Sequence, residues 1–207
     1  MSTNPNQPEI GLVLLAAGGS RRLGKPKQLL HHRGESLLRR AAKSALASRC
    51  SKIAVILGAD AEACAHELEE RGGDHEDGVL DGASAQEGLP VVLLTALNSA
   101  APELDAVLLA LCDQALIDYR HLNGLVEAFC TSRPTVVASR YGDAFGAPAV
   151  FHRSLFGDLA GLAGDEGAKK IIVRHLRSTL FVDLPEAGID VDTVEDYARL
   201  TGSPRSG

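Results

Sequence analysis

The chain has 207 residues, 45% of them hydrophobic and 23% charged, and it carries a formal net charge of −6 at pH 7. That length suits one α/β domain or two small ones, and the composition is ordinary for a globular protein. The acidic balance excludes a general nucleic-acid or membrane-surface binder, because both need a broad basic face. Residues 1–9 lack the basic segment and apolar core of a secretory leader, and no apolar run approaches the ~20 residues of a membrane span. Cys50, Cys64, Cys112 and Cys130 are scattered without a CxxC pair, which reads as reduced thiols in a cytoplasmic protein.

The run "IGLVLLAA" (10–17), set between Pro8 and the pair Gly18–Gly19, reads as a core strand. Leu37, Leu38, Ala41, Ala45 and Leu46 recur at helical spacing and predict a helix over 35–48. "KIAVILG" (52–58) is a second strand, and "DAEACAHELEERGG" (60–73) a helix with Asp60 as N-cap and Gly72 as its stop. Residues 73–87, rich in Gly and Asp, are expected to form a mobile loop, and Pro90 to open a helix over 90–101. "LDAVLLALCDQ" (104–114) is a further buried strand, followed by a helix over 119–132. Beyond it, the strands "PTVVASRY", "GAPAVF" and "TLFVDL" mix with a helix at 167–178. This alternation implies right-handed crossovers and a mostly parallel sheet with helices on both faces. No repeat or linker interrupts it, so one domain is expected over 10–201, with flexible tails at 1–9 and 202–207.

Ligands of open α/β sheets sit outside the carboxyl ends of the strands, and the charged and glycine-rich clusters fall there. In "LLAAGGSRRLGKPKQLL" (14–30), Gly18 and Gly19 allow backbone N–H groups to face phosphate oxygens, while Arg22 and Lys27 supply positive charge. The loop is neither GxxxxGK[ST] nor GxGxxG, so it is not a P-loop or a dinucleotide fingerprint. Asp113 ends an apolar strand, where a carboxylate needs a partner: a Mg²⁺ ion, or the start of the next helix. In "GIDVDTVEDY", Asp190 and Asp192 flank Val191 and share a face if extended; Asp192 or Thr193 also suits a helix cap. The small residues of "GAPAVF" (146–151) leave room against the backbone, and Gly164, Asp165 and Gly167 precede a helix. Those two segments read equally well as turns. No histidine lies at metal-ligand spacing, and Cys112 reads as core rather than nucleophile.

In this order, "LAAGGSRRLGKPKQLL", "CDQ", "GAPAVF", "GDEGAKKII" and "IDVDTVEDY" resemble the MobA-like nucleotidyltransferases, and within them the molybdenum cofactor cytidylyltransferase (MocA-type) group. The opening motif L-A-A-G-x-S-x-R-[ML]-G-x-x-K-x-L is met by Leu15, Ala16, Ala17, Gly18, Ser20, Arg22, Leu23, Gly24, Lys27 and Leu29. The resemblance implies a Rossmann-like three-layer α/β/α fold with a mostly parallel mixed sheet, of the nucleotide-diphospho-sugar transferase type. It implies nucleotide binding by Leu15, Ala16, Ala17, Gly18, Gly19, Ser20, Arg22 and Lys27, with Arg22, Lys27 and Asp113 serving catalysis. Asp113 with Asp190 or Asp192 would hold Mg²⁺, and Gly146, Pro148, Gly164, Asp165 and Gly167 would face the acceptor. The implied reaction moves CMP from CTP onto a pterin (molybdopterin) phosphate; a molybdenum enzyme is an implied partner.

Two departures stand out. Relatives usually carry "DQP" where this chain has Asp113-Gln114-Ala115, and small or hydroxyl residues where it has "EGLPVVLLTAL" (87–97). Two competing readings follow: a nicotinamide-dependent reductase of a quinoid or pigment compound on the same scaffold, and a non-catalytic chaperone for the molybdenum cofactor.

Overall fold

A computed structural model describes residues 7–17, 26–58, 60–69, 104–161 and 167–202. The predicted loop at 73–87 and helix at 90–101 lie outside them. The described elements, in chain order, begin with β1 (Ile10–Ala16), β2 (His31–His32), β3 (Glu35–Ser36), α1 (Leu37–Leu46), β4 (Lys52–Leu57) and α2 (Ala61–Glu69). There follow β5 (Ala106–Leu111), α3 (Tyr119–Ser132), β6 (Val136–Tyr141), β7 (Ala144–His152), α4 (Phe156–Ala160), α5 (Lys169–Arg174), β8 (Thr179–Asp183) and α6 (Val194–Thr201).

The main sheet has six strands in the order β4-β1-β5-β7-β6-β8. β1 lies parallel to both β4 and β5, β7 runs antiparallel to β5 and β6, and β8 is parallel to β6. The expected mostly parallel mixed sheet is thus formed, with the reversal confined to β7. Alternation along β1 sorts its side chains onto two cores. Leu12, Leu14 and Ala16 pack with Leu38, Ala42, Leu122, Leu125 and Phe129 under α1 and α3. Val13 faces the other way, toward Leu109, Phe151, Leu155, Leu159, Ile171 and Ile172 under α4 and α5. Both faces are covered, which is why β1 and β5 read as unbroken apolar runs.

Local chemistry sets the element ends. Ser36 Oγ accepts from Arg39 N at 3.1 Å and starts α1 two residues later than the spacing predicts. Glu35 and Ser36 pair instead with His31 and His32 around a turn at Arg33 (φ 53°) and Gly34 (φ 86°), the positive-φ pair of a tight hairpin. Asp118 caps α3, its side chain accepting from Arg120 N and His121 N while His121 reaches back to the cap N–H. That leaves Asp113 free of any capping duty. The helix expected over 167–178 is broken: α5 ends at Arg174, and Leu176–Ser178 form a 3-10 turn. His175, at φ −111° and ψ 20°, leaves helical geometry there. Among the described residues no helix is long and apolar enough to cross a membrane.

β4 ends against the exit of β1. A Cβ added to Gly58 would stand 2.7 Å from both the Cα and the carbonyl oxygen of Ala17, so the backbones meet with no room for a side chain. By contrast Gly124, within α3, has open space around it. Gly58→Ala is therefore expected to destabilise the protein by about 1–3 kcal/mol through overpacking. Gly124→Ala is expected to stabilise it by about 0.5–1 kcal/mol through helix propensity. Urea unfolding of the two variants checks both signs.

Candidate functional site

Because β1 and β5 are parallel neighbours, their carboxyl ends open on one edge of the sheet, and the candidate residues gather there. Leu15, Ala16 and Ala17 close β1; Ala16 is fully buried, so only its backbone faces outward chemistry. The chain returns through Pro26 into a 3-10 turn, Lys27–Leu29. Gln28, 3% exposed, fastens that turn to β1 by donating from Nε2 to the Ala16 carbonyl at 2.6 Å. Cys112 N donates to Leu15 O at 3.1 Å, which places the next residue, Asp113, beside the same strand end. Val191 N in turn donates to Asp113 O at 3.2 Å and draws the 190–192 segment alongside.

Lys27 Nζ binds Asp113 Oδ2 and, at 2.9 Å, Asp192 Oδ1. The Lys27 and Asp113 side chains are each 12% exposed, whereas that of Asp192 is 58% exposed. Burial alone would lower the Lys27 pKa, but Asp113 foremost and Asp192 after it raise it well above the ordinary lysine value. Lys27 is thus firmly cationic. Asp190 stands at the rim. Loss of hydration, then the negative charges of Asp113 and Asp192, push its pKa up to about 6 against the relief given by Lys27.

Among the described residues no three His, Cys, Asp or Glu side chains close into a ready-made cation cage. Their chemistry nonetheless fits a divalent ion. Among the described residues, Asp113 Oδ1 is buried without a hydrogen-bond partner, and one ammonium serves a set of three crowding carboxylates. A hard cation takes oxygen ligands of that kind.

Val191 is fully buried while Asp190 and Asp192 turn outward on either side of it, the alternation expected of an extended segment. The capping alternative for Asp192 goes to its neighbour: Thr193 caps α6 in a reciprocal box with Asp196. At position 115, Ala115 N donates to Asp113 O at 3.0 Å, a bond proline could not make. Ala115 also packs with Leu37 and Val191, so this departure keeps Asp113 aimed.

Of the residues expected to face an acceptor, Gly146 and Pro148 lie in β7. The room expected above Gly146 is taken: a Cβ there would meet Tyr141 Oη at 2.6 Å, and one on Gly188 would meet the same ring at 3.1–3.3 Å. Tyr141 thus lies across two glycines, its phenol pKa raised by burial and then by Asp190. Gly167 is exposed just ahead of α5. Gly18, Gly19, Ser20, Arg22, Gly164 and Asp165 lie outside the described residues, as does 87–97. Sequence reasoning missed Gln28 and Tyr141. A lone polar residue in "KQLL" was the one signal for Gln28, and nothing local marked Tyr141. Cys112 is buried and its thiol pushed up to about 12, as befits a core residue.

Comparison with known proteins bears on this geometry. Residues 12–179 match the family described as the MobA-like NTP transferase domain. The chain is 31% identical to nicotine blue oxidoreductase of Paenarthrobacter nicotinovorans, over 91% of this chain and 94% of that protein. It is 29% identical to purine catabolism protein PucB of Bacillus subtilis (strain 168), over 89% and 92%. Among solved structures, Rv0371c of Mycobacterium tuberculosis H37Rv superposes with a TM-score of 0.78 at 31% identity, over 95% of this chain and all of that one. A manganese complex of Rv0371c matches with a TM-score of 0.75 at 29% identity, over 95% and 100%. CMP:2-keto-3-deoxy-manno-octonic acid synthetase complexed with CTP shares the fold, with a TM-score of 0.68 at 14% identity over 94% and 97%.

The carboxylate crowding has a pH signature in the metal-free protein. An acid whose folded pKa is raised to about 6 costs stability above that pH and costs nothing below its unfolded value of about 4. Asp190→Asn is therefore expected to raise Tm at pH 8, and the gain should vanish by pH 4. Melting curves in the presence of a chelator, taken across that range, measure it.

Proposed function

The chain belongs to the MobA-like NTP transferase family and is a nucleotidyltransferase, and from that premise we propose that it moves CMP from CTP onto a pterin phosphate with a divalent cation, Mg²⁺, at its carboxylates. The observation that carries the reading is the Lys27–Asp113–Asp192 cluster, with Asp190 beside it, at the joint carboxyl end of β1 and β5.

On this reading the nucleotide lies over Leu15, Ala16, Ala17, Gly18, Gly19 and Ser20. Lys27 and Arg22 meet its phosphates, and Gly146, Pro148, Gly164, Asp165 and Gly167 line the acceptor side. An oxygen of the acceptor's terminal phosphate attacks the α-phosphorus of CTP in line, and pyrophosphate leaves. No strong base is required, because a phosphate monoester has its second pKa near ~6 and is largely dianionic at neutral pH. Lys27 is poised for charge neutralisation: cationic, mostly buried, and carried on a turn that Gln28 anchors. Its ammonium can turn from Asp192 and Asp113 toward incoming phosphate oxygens, which stabilise it equally well. Asp113, with Asp190 or Asp192, would hold the cation. When bound, the ion would neutralise charge on the transferring phosphoryl group.

A second reading has one observation behind it. The relative at 31% identity is named an oxidoreductase of nicotine blue, so a reductase of a quinoid compound on this scaffold is the competing chemistry.

A thermal-shift panel separates them. CTP with Mg²⁺ at one hundred times its Kd is expected to add about 2.7 kcal/mol, or roughly 5–10 °C at this chain length, above ATP, GTP or UTP. A shift with NADH and none with any triphosphate would instead favour the reductase. Asp113→Ala is expected to lower pyrophosphate release at least ~100-fold at saturating Mg²⁺, the scale of losing a transition-state electrostatic group. Full turnover would remove Asp113 from the metal set.

A further inference from the structure

We infer that Lys27 competes with a divalent ion for Asp113 and Asp192, and that a nucleotide's phosphates, by taking the ammonium, make ion and nucleotide bind cooperatively. The inference rests on the nucleotide and divalent-cation reading given above.

Separate stretches of chain converge on the Lys27 ammonium. Its own turn is closed by Leu29 N donating to Pro26 O at 3.0 Å and by Leu30 N donating to Lys27 O at 3.1 Å. Gln28 holds that turn to β1. Asp113 follows Cys112, whose N–H is bound to Leu15 O, and Asp192 follows Val191, whose N–H is bound to Asp113 O. Between main chains fixed in this way, Nζ bridges Asp113 Oδ2 and Asp192 Oδ1. Both contacts are charge-assisted, and they engage carboxylate oxygens of the kind a hard cation seeks.

An ammonium and a divalent ion repel each other. Lys27 and Asp113 are nearly dehydrated, so little water is at hand to screen that repulsion. The ion therefore gains the carboxylates as the ammonium gives them up. The flexible aliphatic stem of the lysine lets the ammonium move while its turn stays anchored.

The exchange has two halves, and neither is favourable alone. An ion arriving by itself compensates Asp113 and Asp192 but strips Lys27 of both carboxylates. A nucleotide arriving by itself gives Lys27 phosphate oxygens but takes its charge from Asp113. That carboxylate is buried, and its Oδ1 already lacks a partner among the described residues. Leaving one member of a buried ion pair uncompensated is the strongly destabilising case. Ion and phosphates together satisfy both members, so each ligand raises the affinity for the other. Lys27 is the residue that couples them. An uncharged side chain at position 27 would leave the carboxylates open to the ion without nucleotide.

The first test is Mn²⁺ binding to the metal-free full chain without nucleotide, read from electron paramagnetic resonance of the free ion. Lys27→Met, close in length and uncharged, is expected to bind Mn²⁺ at least ~10-fold more tightly than wild type, because a competing charge is gone. Lys27→Arg keeps the charge and should stay close to wild type. Lys43→Met removes an exposed lysine paired with Glu35; it changes net charge equally and should leave the affinity unmoved. Adding Asp113→Asn to Lys27→Met should abolish the gain. Should Lys27→Met fail to fold, Lys27→Gln, uncharged but still a donor, is expected to show the same gain. The second test is thermal: in wild type, the Tm rise from CTP with Mn²⁺ should exceed the sum of their separate rises, and Lys27→Met should shrink that excess. Equal or weaker Mn²⁺ binding in the uncharged variant, tighter binding in Lys27→Arg or Lys43→Met, a gain that survives Asp113→Asn, or an undiminished excess would overturn the inference. Mn²⁺ bound by neither wild type nor any variant at position 27, or no response of wild type to CTP under any condition, would instead overturn the reading beneath it.

Discussion

Charge crowding at the carboxyl edge of β1 and β5 is the constraint on which the rest of the site depends. Asp113, Asp190 and Asp192 are brought within electrostatic reach of one another, in surroundings where Asp113 and Lys27 are nearly dehydrated. Carboxylates so placed repel strongly, since low dielectric magnifies like charge as much as opposite charge. Lys27 makes the arrangement tolerable, bridging the buried carboxylate to the exposed one. Among the described residues, one cation serves three anions, however. The leftover negative potential is visible in the raised pKa of Asp190 and in the unpartnered Oδ1 of Asp113.

The scaffold keeps the crowding in place through contacts that are themselves neutral. Gln28 ties the Lys27 turn to β1, and Gln114 ties β5 to β7 and the 185–190 segment. Both are almost fully buried amides whose donors meet backbone carbonyls, so each stabilises geometry without adding charge. β7 runs against its neighbours, so its first residues, Gly146 among them, lie at the carboxyl edge. Tyr141 then folds over Gly146 and Gly188 and narrows the space beside Asp190. The face of β7 at Gly146 is therefore bounded by an aromatic ring, not by bare backbone.

Resemblance to the nucleotidyltransferases was legible because its motif is contiguous in sequence, beginning at the end of β1 and running to the Lys27–Leu29 turn. The departure at Ala115 has a structural setting that one dimension does not show. Its N–H supports Asp113, and its methyl group fills a contact with Leu37 and Val191. Conversely, the helix expected over 167–178 had adequate spacing and still broke at His175. Periodicity reports which face is buried, and says little about where the backbone must turn to feed the next strand.

By itself the sequence determined the elements whose signals are local: the apolar strands β1, β4 and β5, the helix at 119–132, and the alternation of Asp190 and Asp192 about Val191. It also determined the charge types available at the site. Tertiary structure alone decided that Lys27 and Asp192, 165 positions apart, form one ion pair with Asp113. It decided as well that Gln114 spans three segments and that Tyr141 covers two glycines. Those choices depend on strand order and register, which bring distant residues to one edge of a sheet. No short stretch of sequence encodes such a convergence, because the attraction exists only once the sheet has placed its members together.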